Sequence, residues 1–132
     1  MQLFLHLETV AWLVDSGTTC HIVALRFLGV YRVLRKHQGT TTLTGANGQP
    51  TPAQGICDLE VKIGREKISL ANVVIAEIDF NVLSCFSMQE RGWKTVLGSR
   101  NSHVVKRKMR FCIEMSERAW WMRMKSKLRT VE

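Results

Sequence analysis

The chain has 132 residues and a formal net charge of +8. This length suits one domain with its own core and excludes a second domain of comparable size. Residues 1–93 hold eight Lys/Arg and eight Asp/Glu, whereas residues 94–132 hold eleven Lys/Arg and three Glu. The charge pattern therefore predicts a neutral domain followed by a basic segment.

Neither the cysteines nor the N-terminus carries a motif for metal binding or export. No two cysteines form a C-x-x-C pair, which argues against a zinc ribbon or a redox motif; they are Cys20, Cys57, Cys85 and Cys112. The apolar start MQLFLHL lacks a basic n-region, and Glu8 ends it short of a signal sequence or a membrane span. We therefore expect an intracellular, cytoplasmic protein with reduced thiols and no membrane partner.

A carboxylate follows directly after apolar residues in the stretch Trp12-Leu13-Val14-Asp15-Ser16-Gly17-Thr18. Burying an unpaired ionised carboxylate is costly, so Asp15 needs an explanation. Asp, Ser and Gly all favour turns, and an ordinary turn is one explanation. A chemical role for Asp15 is the other. Cys20 and His21, just downstream, fit ordinary surface or core residues better than a metal or catalytic pair.

Strand patterns dominate the middle of the chain. The Thr-rich residues 40–44 precede Gly45-Ala46-Asn47-Gly48, and Asn-Gly is a strong hairpin signal because a type I′ turn needs positive φ. Apolar and polar residues alternate over residues 56–63, and a second strand is predicted over residues 68–76. The sequence therefore predicts two hairpins in succession.

Helix signals are few. One short helix is predicted over residues 87–91, before Gly92, and a second over residues 116–128. Together with the strand patterns, these elements predict a small, mainly β domain.

Three features, in this order, resemble the retropepsin family of aspartic proteases encoded by retroviruses and LTR retrotransposons. Asp15-Ser16-Gly17-Thr18 resembles the catalytic D-[ST]-G signature, and residues 44–48 resemble the tip of the flap hairpin. Asn81-Val82-Leu83-Ser84, followed by Gly92-Trp93, resembles the end of the domain. Most retroviral members carry Gly where this chain has Ser84, which is similar to the N-L-L-S pattern of Ty1/copia-type elements. The resemblance covers residues 10–98.

The resemblance implies a mainly all-β fold: a small acid-protease β-barrel with one short helix over residues 1–98, followed by a basic tail or polyprotein spacer over residues 99–132. It implies an aspartic endopeptidase that is active as a homodimer, with Asp15 as the catalytic residue of each subunit, and that processes its own retrotransposon polyprotein. Neither a cofactor nor a metal is expected.

The resemblance also assigns roles to the neighbours of Asp15 and to the hairpin tip. Active-site loop support is implied for Ser16, Gly17 and Thr18. Contact with the substrate, as a flap that closes over a bound polypeptide, is implied for Gly45, Ala46, Asn47 and Gly48.

The single D-S-G motif has a physical consequence. Peptide hydrolysis by carboxylates needs a water held between two of them, one acting as base and the other as acid. Two carboxyls in contact cannot both ionise, so the pair keeps one proton and can play both roles. This chain holds one such motif. The economical source of a second copy is an identical subunit across a two-fold axis.

An alternative hypothesis is a catalytically inactive retroelement remnant. Basic residues flank Trp120-Trp121 in the C-terminal segment, and basic residues with interleaved aromatics can neutralise phosphates and stack on bases. The basic tail is therefore a candidate for weak contact with nucleic acid or with another partner. A solvated polyprotein spacer is the simpler interpretation of the same residues.

Overall fold

The protein is described by a computed structural model, which covers residues 5–39, 41–44, 50–63, 66–98, 101–116 and 119–131. Side chains are described within residues 10–39, 41–43, 50–63, 66–98 and 101–113. The strands are β1 (Leu5–Asp15), β2 (Ile22–Ala24), β3 (Arg32–His37), β4 (Thr42–Thr44), β5 (Pro50–Ile63), β6 (Glu66–Ala76), β7 (Asn81–Ser84), β8 (Lys94–Val96), β9 (His103–Lys106), β10 (Met109–Cys112), β11 (Glu114–Ser116) and β12 (Ala119–Val131). The helices are a 3-10 helix over Leu25–Val30 and the α-helix α1 over Cys85–Glu90.

Most strands join one large sheet, in the order β11-β12-β1-β7-β2-β6-β5-β3, with β4 paired to β5. Lys125 of β12 also pairs with Lys62 of β5, which connects two distant strands of this order. The sheet therefore closes on itself as a barrel of β12, β1, β7, β2, β6 and β5. The prediction of a small, mainly β fold is confirmed.

The predicted hairpin over residues 56–76 is present as β5 and β6. These strands pair antiparallel from Ala53↔Ala76 to Ile63↔Glu66. Cys57, Leu59, Val61 and Ile63 are buried, as the alternating pattern requires, and the polar residues between them point away from the core. This hairpin forms one wall of the barrel.

The core is centred on Trp12 and Tyr31, which are both buried. Trp12 Nε1 donates a hydrogen bond of 2.8 Å to Tyr31 Oη, and the two rings meet edge to face with centroids 5.7 Å apart. Burial raises the pKa of the Tyr31 hydroxyl to about 12, against the opposing effect of the hydrogen bond from Trp12. This pair fixes β1 against the segment that leads into β3.

The short strand β7 lies between β1 and β2, and all four of its residues are buried. It runs parallel to β1, with Trp12↔Asn81 and Asp15↔Ser84 as register partners. Asn81 Oδ1 accepts a hydrogen bond of 2.8 Å from the backbone N–H of Ala24, which attaches β7 to β2. The loop between β1 and β2 therefore passes over the end of β7, and that end holds Ser84.

The helix α1 follows β7 directly. Ser84 is its N-cap, because Ser84 Oγ accepts a hydrogen bond of 3.1 Å from the backbone N–H of Ser87. The predicted helix at residues 87–91 is thus present and begins earlier, at Cys85. Among the described residues, no helix has the length and apolar character needed to span a membrane.

The segment after Gly98, expected as a basic tail or spacer, instead forms strands. β9 and β10 join β8 in a three-stranded sheet, where Phe111 packs on Trp93 with ring centroids 5.6 Å apart. β12 pairs antiparallel with β1 from Leu5↔Val131 to Val14↔Trp120. A boundary at residue 98 would cut between β8 and β9, which are hydrogen-bonded partners. The boundary expected at residue 98 therefore falls within a hydrogen-bonded sheet.

The predicted helix over residues 116–128 is also wrong, because residues 119–131 form β12. Basic residues occupy alternate positions there, with Arg123, Lys125, Lys127 and Arg129 separated by Met124, Ser126 and Leu128. That spacing has the two-residue period of a strand. β1 pairs with β7 on one edge, and its other edge would be unpaired without β12, which gives residues 119–131 a strand partner.

Candidate active site

Asp15 is the last residue of β1 and is half-buried at the point where the chain leaves the barrel. Its Oδ1 accepts a hydrogen bond of 2.7 Å from the backbone N–H of Gly17. A Cβ at position 17 would lie 3.3 Å from this same oxygen, closer than a relaxed contact. The absence of a side chain at Gly17 therefore lets the loop turn tightly around the carboxylate.

Two serine hydroxyls hold the next residues of the loop. Ser84 Oγ donates a hydrogen bond of 2.8 Å to the Thr18 carbonyl, and Ser87 Oγ donates one of 2.9 Å to the Thr19 carbonyl. Thr18 Oγ1 in turn donates to the Cys20 carbonyl at 3.3 Å. The loop that carries Asp15 is therefore fastened to the end of β7 and the first turn of α1.

His21 ends this loop and is buried, with 3% of its surface exposed. Its Nδ1 accepts a hydrogen bond of 3.0 Å from the backbone N–H of Ser84. Burial, assisted by the positive charge of Arg91, lowers the pKa of His21 to about 4. His21 is thus a core residue, which is one of the two interpretations that the sequence allowed. The sequence did not indicate its hydrogen bond with Ser84.

An open cavity of about 650 Å³ lies beside the carboxylate. Its lining includes Asp15, Gly17 and Thr18 from the loop, and residues 41–43 with Thr51 from the hairpin of β4 and β5. Ile78 and Val82 add apolar surface. The cavity thus combines one acidic group with threonine hydroxyls and apolar walls, and its volume is in the range of sites that hold a ligand of several groups.

The hairpin of β4 and β5 borders this cavity. Its strands pair through Thr42↔Pro52, Leu43↔Thr51 and Thr44↔Pro50, and the Ala53 N–H donates to the Thr41 carbonyl at 3.0 Å. The predicted flap tip, Gly45, Ala46, Asn47 and Gly48, lies outside the described residues. The paired strands on both sides of that tip place the base of the hairpin against the same cavity as Asp15.

Ser16 lies apart from the other predicted loop residues. It is exposed and lines a different cavity, of about 530 Å³, together with Cys85, Gln89, Trp93, Lys94, Thr95 and Leu97. Burial and, to a smaller extent, the nearby Asp15 charge raise the pKa of the Cys85 thiol. The structure therefore brings Asp15, Gly17 and Thr18 into one cavity and turns Ser16 toward another.

The number of carboxylates in the cavity limits the chemistry that a single chain can perform. Asp15 is the one carboxylate among the residues lining its cavity. Within the described part of the chain, no group of three or more His, Cys, Asp or Glu side chains is arranged to hold a metal ion. One carboxylate can take a proton from water, but it cannot also donate one to the substrate in the same step.

No protein-family model matches the sequence, and a search of curated proteins gave no significant match. Among solved structures, the chain is similar to the EIAV protease complexed with the inhibitor HBY-793, with a TM-score of 0.48 and 20% sequence identity. That similarity covers 73% of this chain and 94% of the EIAV chain.

Proposed function

We propose that this chain is one subunit of a homodimeric aspartic endopeptidase, in which Asp15 of each subunit supplies one carboxylate of the catalytic pair. The observation that carries the proposal is the position of Asp15. It lies at the end of a barrel strand, in a tightly bonded loop, at the side of an open cavity bordered by a hairpin.

The second carboxylate is Asp15 of the partner subunit. With one proton shared between them, the ionised carboxylate removes a proton from a water that attacks the peptide carbonyl carbon. The protonated carboxyl gives its proton to the carbonyl oxygen. When the tetrahedral intermediate collapses, the ionised carboxylate takes a proton from one of its hydroxyls. The carboxyl that holds the proton from water gives that proton to the leaving amine. The pair ends the cycle with the one proton it began with.

The substrate is an extended polypeptide, which we infer is the chain's own polyprotein. The base of the β4–β5 hairpin lines the same cavity as Asp15, and a hairpin in this position can add strand-like hydrogen bonds to a bound peptide. Threonine hydroxyls and apolar side chains line the same space. This lining supports binding of a polypeptide rather than a small charged molecule.

A Ty1/copia-type origin belongs to the same proposal. It rests on two motifs that are distant in sequence, Asp15-Ser16-Gly17-Thr18 and Asn81-Val82-Leu83-Ser84. Asp15 and Ser84 are register partners, so the two motifs meet in one site. An intracellular location is proposed with it, supported by free thiols at all four cysteines.

The test is cleavage of a peptide from the surrounding polyprotein by the wild type, by Asp15→Asn and by the control Glu66→Gln. Asn cannot share a proton or activate water, so we expect Asp15→Asn to lose at least 10³-fold in kcat/KM. Glu66 is exposed at the start of β6, remote from the cavity, and its variant should cleave normally. Equal cleavage by wild type and Asp15→Asn would exclude this function.

A second candidate function, contact with nucleic acid, is favoured by the register of three lysines. Lys67 pairs with Lys62, and Lys62 pairs with Lys125, so the three occupy directly opposed positions across β6, β5 and β12. Lys62 and Lys67 are exposed. Like charges directly opposite one another are destabilising unless a counter-charge lies over them, and a phosphate backbone supplies such a charge.

Fluorescence anisotropy with labelled single-stranded RNA at several salt concentrations tests this candidate. For the Lys62→Gln/Lys67→Gln double variant, we expect weaker binding and a shallower dependence of log affinity on log salt, by about 0.7 for each lost phosphate contact. Lys108→Gln, in the turn between β9 and β10, is the control. If the wild type binds RNA but cleaves nothing, the inactive remnant becomes the preferred interpretation. If the double variant binds as the wild type does, the lysines form no nucleic-acid site.

A further inference from the structure

We propose that His21 is a positioning residue for Asp15 which acts through Ser84, and that protonation of its imidazole sets the acidic limit of the activity. The proposal rests on the endopeptidase function proposed above. It concerns a residue that touches neither the carboxylate nor the cavity beside it. Its action is to keep the end of β7 in the position that the catalytic loop requires.

Ser84 is the residue through which His21 acts. Its backbone N–H donates to His21 Nδ1 at 3.0 Å, and its hydroxyl donates to the Thr18 carbonyl at 2.8 Å. It is also the register partner of Asp15 and the N-cap of α1. A displacement of Ser84 would therefore disturb the strand beside Asp15, the loop that follows it and the start of the helix together.

The bond to Ser84 requires a neutral imidazole. Because Nδ1 accepts a hydrogen bond, the ring proton of His21 must be on Nε2. A proton added to Nδ1 would point at the Ser84 N–H, so that a donor faces a donor. The protonated imidazole cannot keep this contact, and the buried N–H of Ser84 would then lack its acceptor. Protonation and the positioning bond therefore exclude each other.

The groups around His21 favour the neutral form near pH 5 and above. A cavity of about 260 Å³ adjoins the ring, and its titratable or charged lining groups are Cys20 from the loop and Glu90 and Arg91 from the end of α1. The β6 residues that line it, Ser69, Leu70, Ala71 and Asn72, do not titrate, and neither do the residues of β7. Burial first and Arg91 second lower the pKa of His21 to about 4.

The hydrogen bond from the Ser84 N–H to His21 is therefore lost within the pH range in which a carboxyl pair that shares one proton would be active. Above about pH 4, His21 is neutral and Ser84 holds the Thr18 carbonyl. Below that pH, the imidazole takes up a proton and no longer accepts the hydrogen bond from the Ser84 N–H, so one of the contacts that position the loop is lost. We therefore expect kcat to fall on the acidic side through His21, in addition to any loss from titration of the carboxyl pair itself.

Two substitutions of His21 separate the role of its hydrogen-bond acceptor from the effect of imidazole protonation. In His21→Asn, the amide oxygen takes the approximate place of Nδ1 and does not titrate. In His21→Leu, no acceptor remains. His103→Asn is the control, because His103 lies on β9, outside the catalytic loop. For each variant, kcat and KM are measured against pH with a polyprotein-derived peptide, and hydrogen exchange of the Ser84 amide is followed by NMR over the same range.

For the wild type we expect kcat to fall at least fivefold from pH 5 to pH 3, as the protection factor of the Ser84 amide, its exchange rate corrected for the intrinsic effect of pH, decreases. His21→Asn should keep its kcat to lower pH, and His21→Leu should lose at least tenfold in kcat at pH 5 and above, with KM within twofold of the wild type. His103→Asn should follow the wild type. If kcat of His21→Asn decreases below pH 5 as it does in the wild type, the proposal is wrong. A normal kcat for His21→Leu would also overturn it.

The exchange measurement separates a failure of this inference from a failure of the proposed function, because it needs no activity. If the chain cleaves its peptide but protection of the Ser84 amide does not follow protonation of His21, the positioning role is wrong and the endopeptidase stands. If neither the wild type nor any variant cleaves the peptide, both the proposed endopeptidase and the proposed acidic limit are wrong. Loss of Ser84 protection at low pH would then still establish the bond between His21 and Ser84 as a pH-sensitive contact.

Discussion

Asp15 and Ser84, 69 positions apart in the chain, are register partners on the parallel strands β1 and β7. Ser84 is buried, caps α1 and binds the Thr18 carbonyl, so one small side chain joins the strand, the loop and the helix of the site. Because the hydroxyl both donates and accepts here, its two bonds are lost together when it is removed.

Ser84→Ala should therefore lower both stability and activity. Loss of the N-cap bond and of the bond to Thr18 should reduce the free energy of unfolding by about 1–2 kcal/mol. Urea denaturation gives this value, and peptide cleavage should show a decrease in kcat. Ser87→Ala is the matched control, since it removes one bond, to the Thr19 carbonyl. A smaller loss for Ser84→Ala than for Ser87→Ala would contradict the central position of Ser84.

Asp15→Asn subunits should suppress the activity of the wild type when the two are mixed. If every active site needs Asp15 from both subunits, a fourfold excess of the variant, with free exchange of subunits, should leave about one fifth of the initial rate. An equal excess of Glu66→Gln should instead raise the rate in proportion to total protein. A rate unaffected by Asp15→Asn would mean that each subunit works alone.

The stability of the wild type should fall as the pH decreases from about 6.5 to about 4. In this window the unfolded chain protonates His21, whose ordinary pKa is 6.5, while the folded chain, with a pKa of about 4, does not. The unfolded state therefore binds more protons, and stability is lost as the pH falls, by about 3 kcal/mol in total.

Urea midpoints of the wild type and of His21→Asn at pH 7 and pH 4 measure this loss. The variant should be much less sensitive over the same range, because its amide does not titrate. The carboxyl of Asp58, whose pKa is lowered chiefly by its hydrogen bond from the Asn72 N–H, affects both proteins at lower pH. Parallel losses in the two proteins would show that His21 titrates normally in the fold.

Trp12 and Tyr31 should show a favourable coupling energy in a double-mutant cycle. Trp12→Phe leaves the Tyr31 hydroxyl buried without its donor, and Tyr31→Phe leaves Trp12 Nε1 without its acceptor. Each single variant should lose about 2 kcal/mol or more, and the double variant should lose about 1–2 kcal/mol less than the sum. Additive losses, measured by urea denaturation, would mean that the 2.8 Å bond contributes nothing.

Disruption of β12 should destabilise the whole barrel. Met124→Pro introduces a residue without an N–H opposite Val10, in the middle of the strand, and should cost about 3 kcal/mol or more. Thr130→Pro, near the end of the same strand, should cost much less. Truncation after Gly98 should unfold the chain, since it removes β12, one of the two strands that pair with β1. Thermal melting measures all three, and a normal melting temperature for the truncated form would restore the interpretation of residues 99–132 as a tail.

Local chemistry was sufficient to predict several elements. Alternation of apolar and polar residues over residues 56–63 predicts β5 because a strand with one buried face requires that period. The Thr-rich run before Asn47-Gly48 predicts a hairpin, and β4 pairs with β5 on both sides of it. The position of Asp15 directly after three apolar residues indicates a functional carboxylate, because burying an unpaired charge there is costly.

Contacts between distant residues were decided by the tertiary structure. His21 lies 63 positions from Ser84, and nothing local to either residue indicates that one would accept a hydrogen bond from the other. The alternating basic residues of β12 have the period of a strand, but only the fold brings them beside the edge of β1 that β7 leaves open. The sequence by itself thus determined the strand periods, the hairpins and the acid at the end of β1. Strand order, and with it the environment of Asp15, depended on pairing across the barrel, which local propensity does not encode.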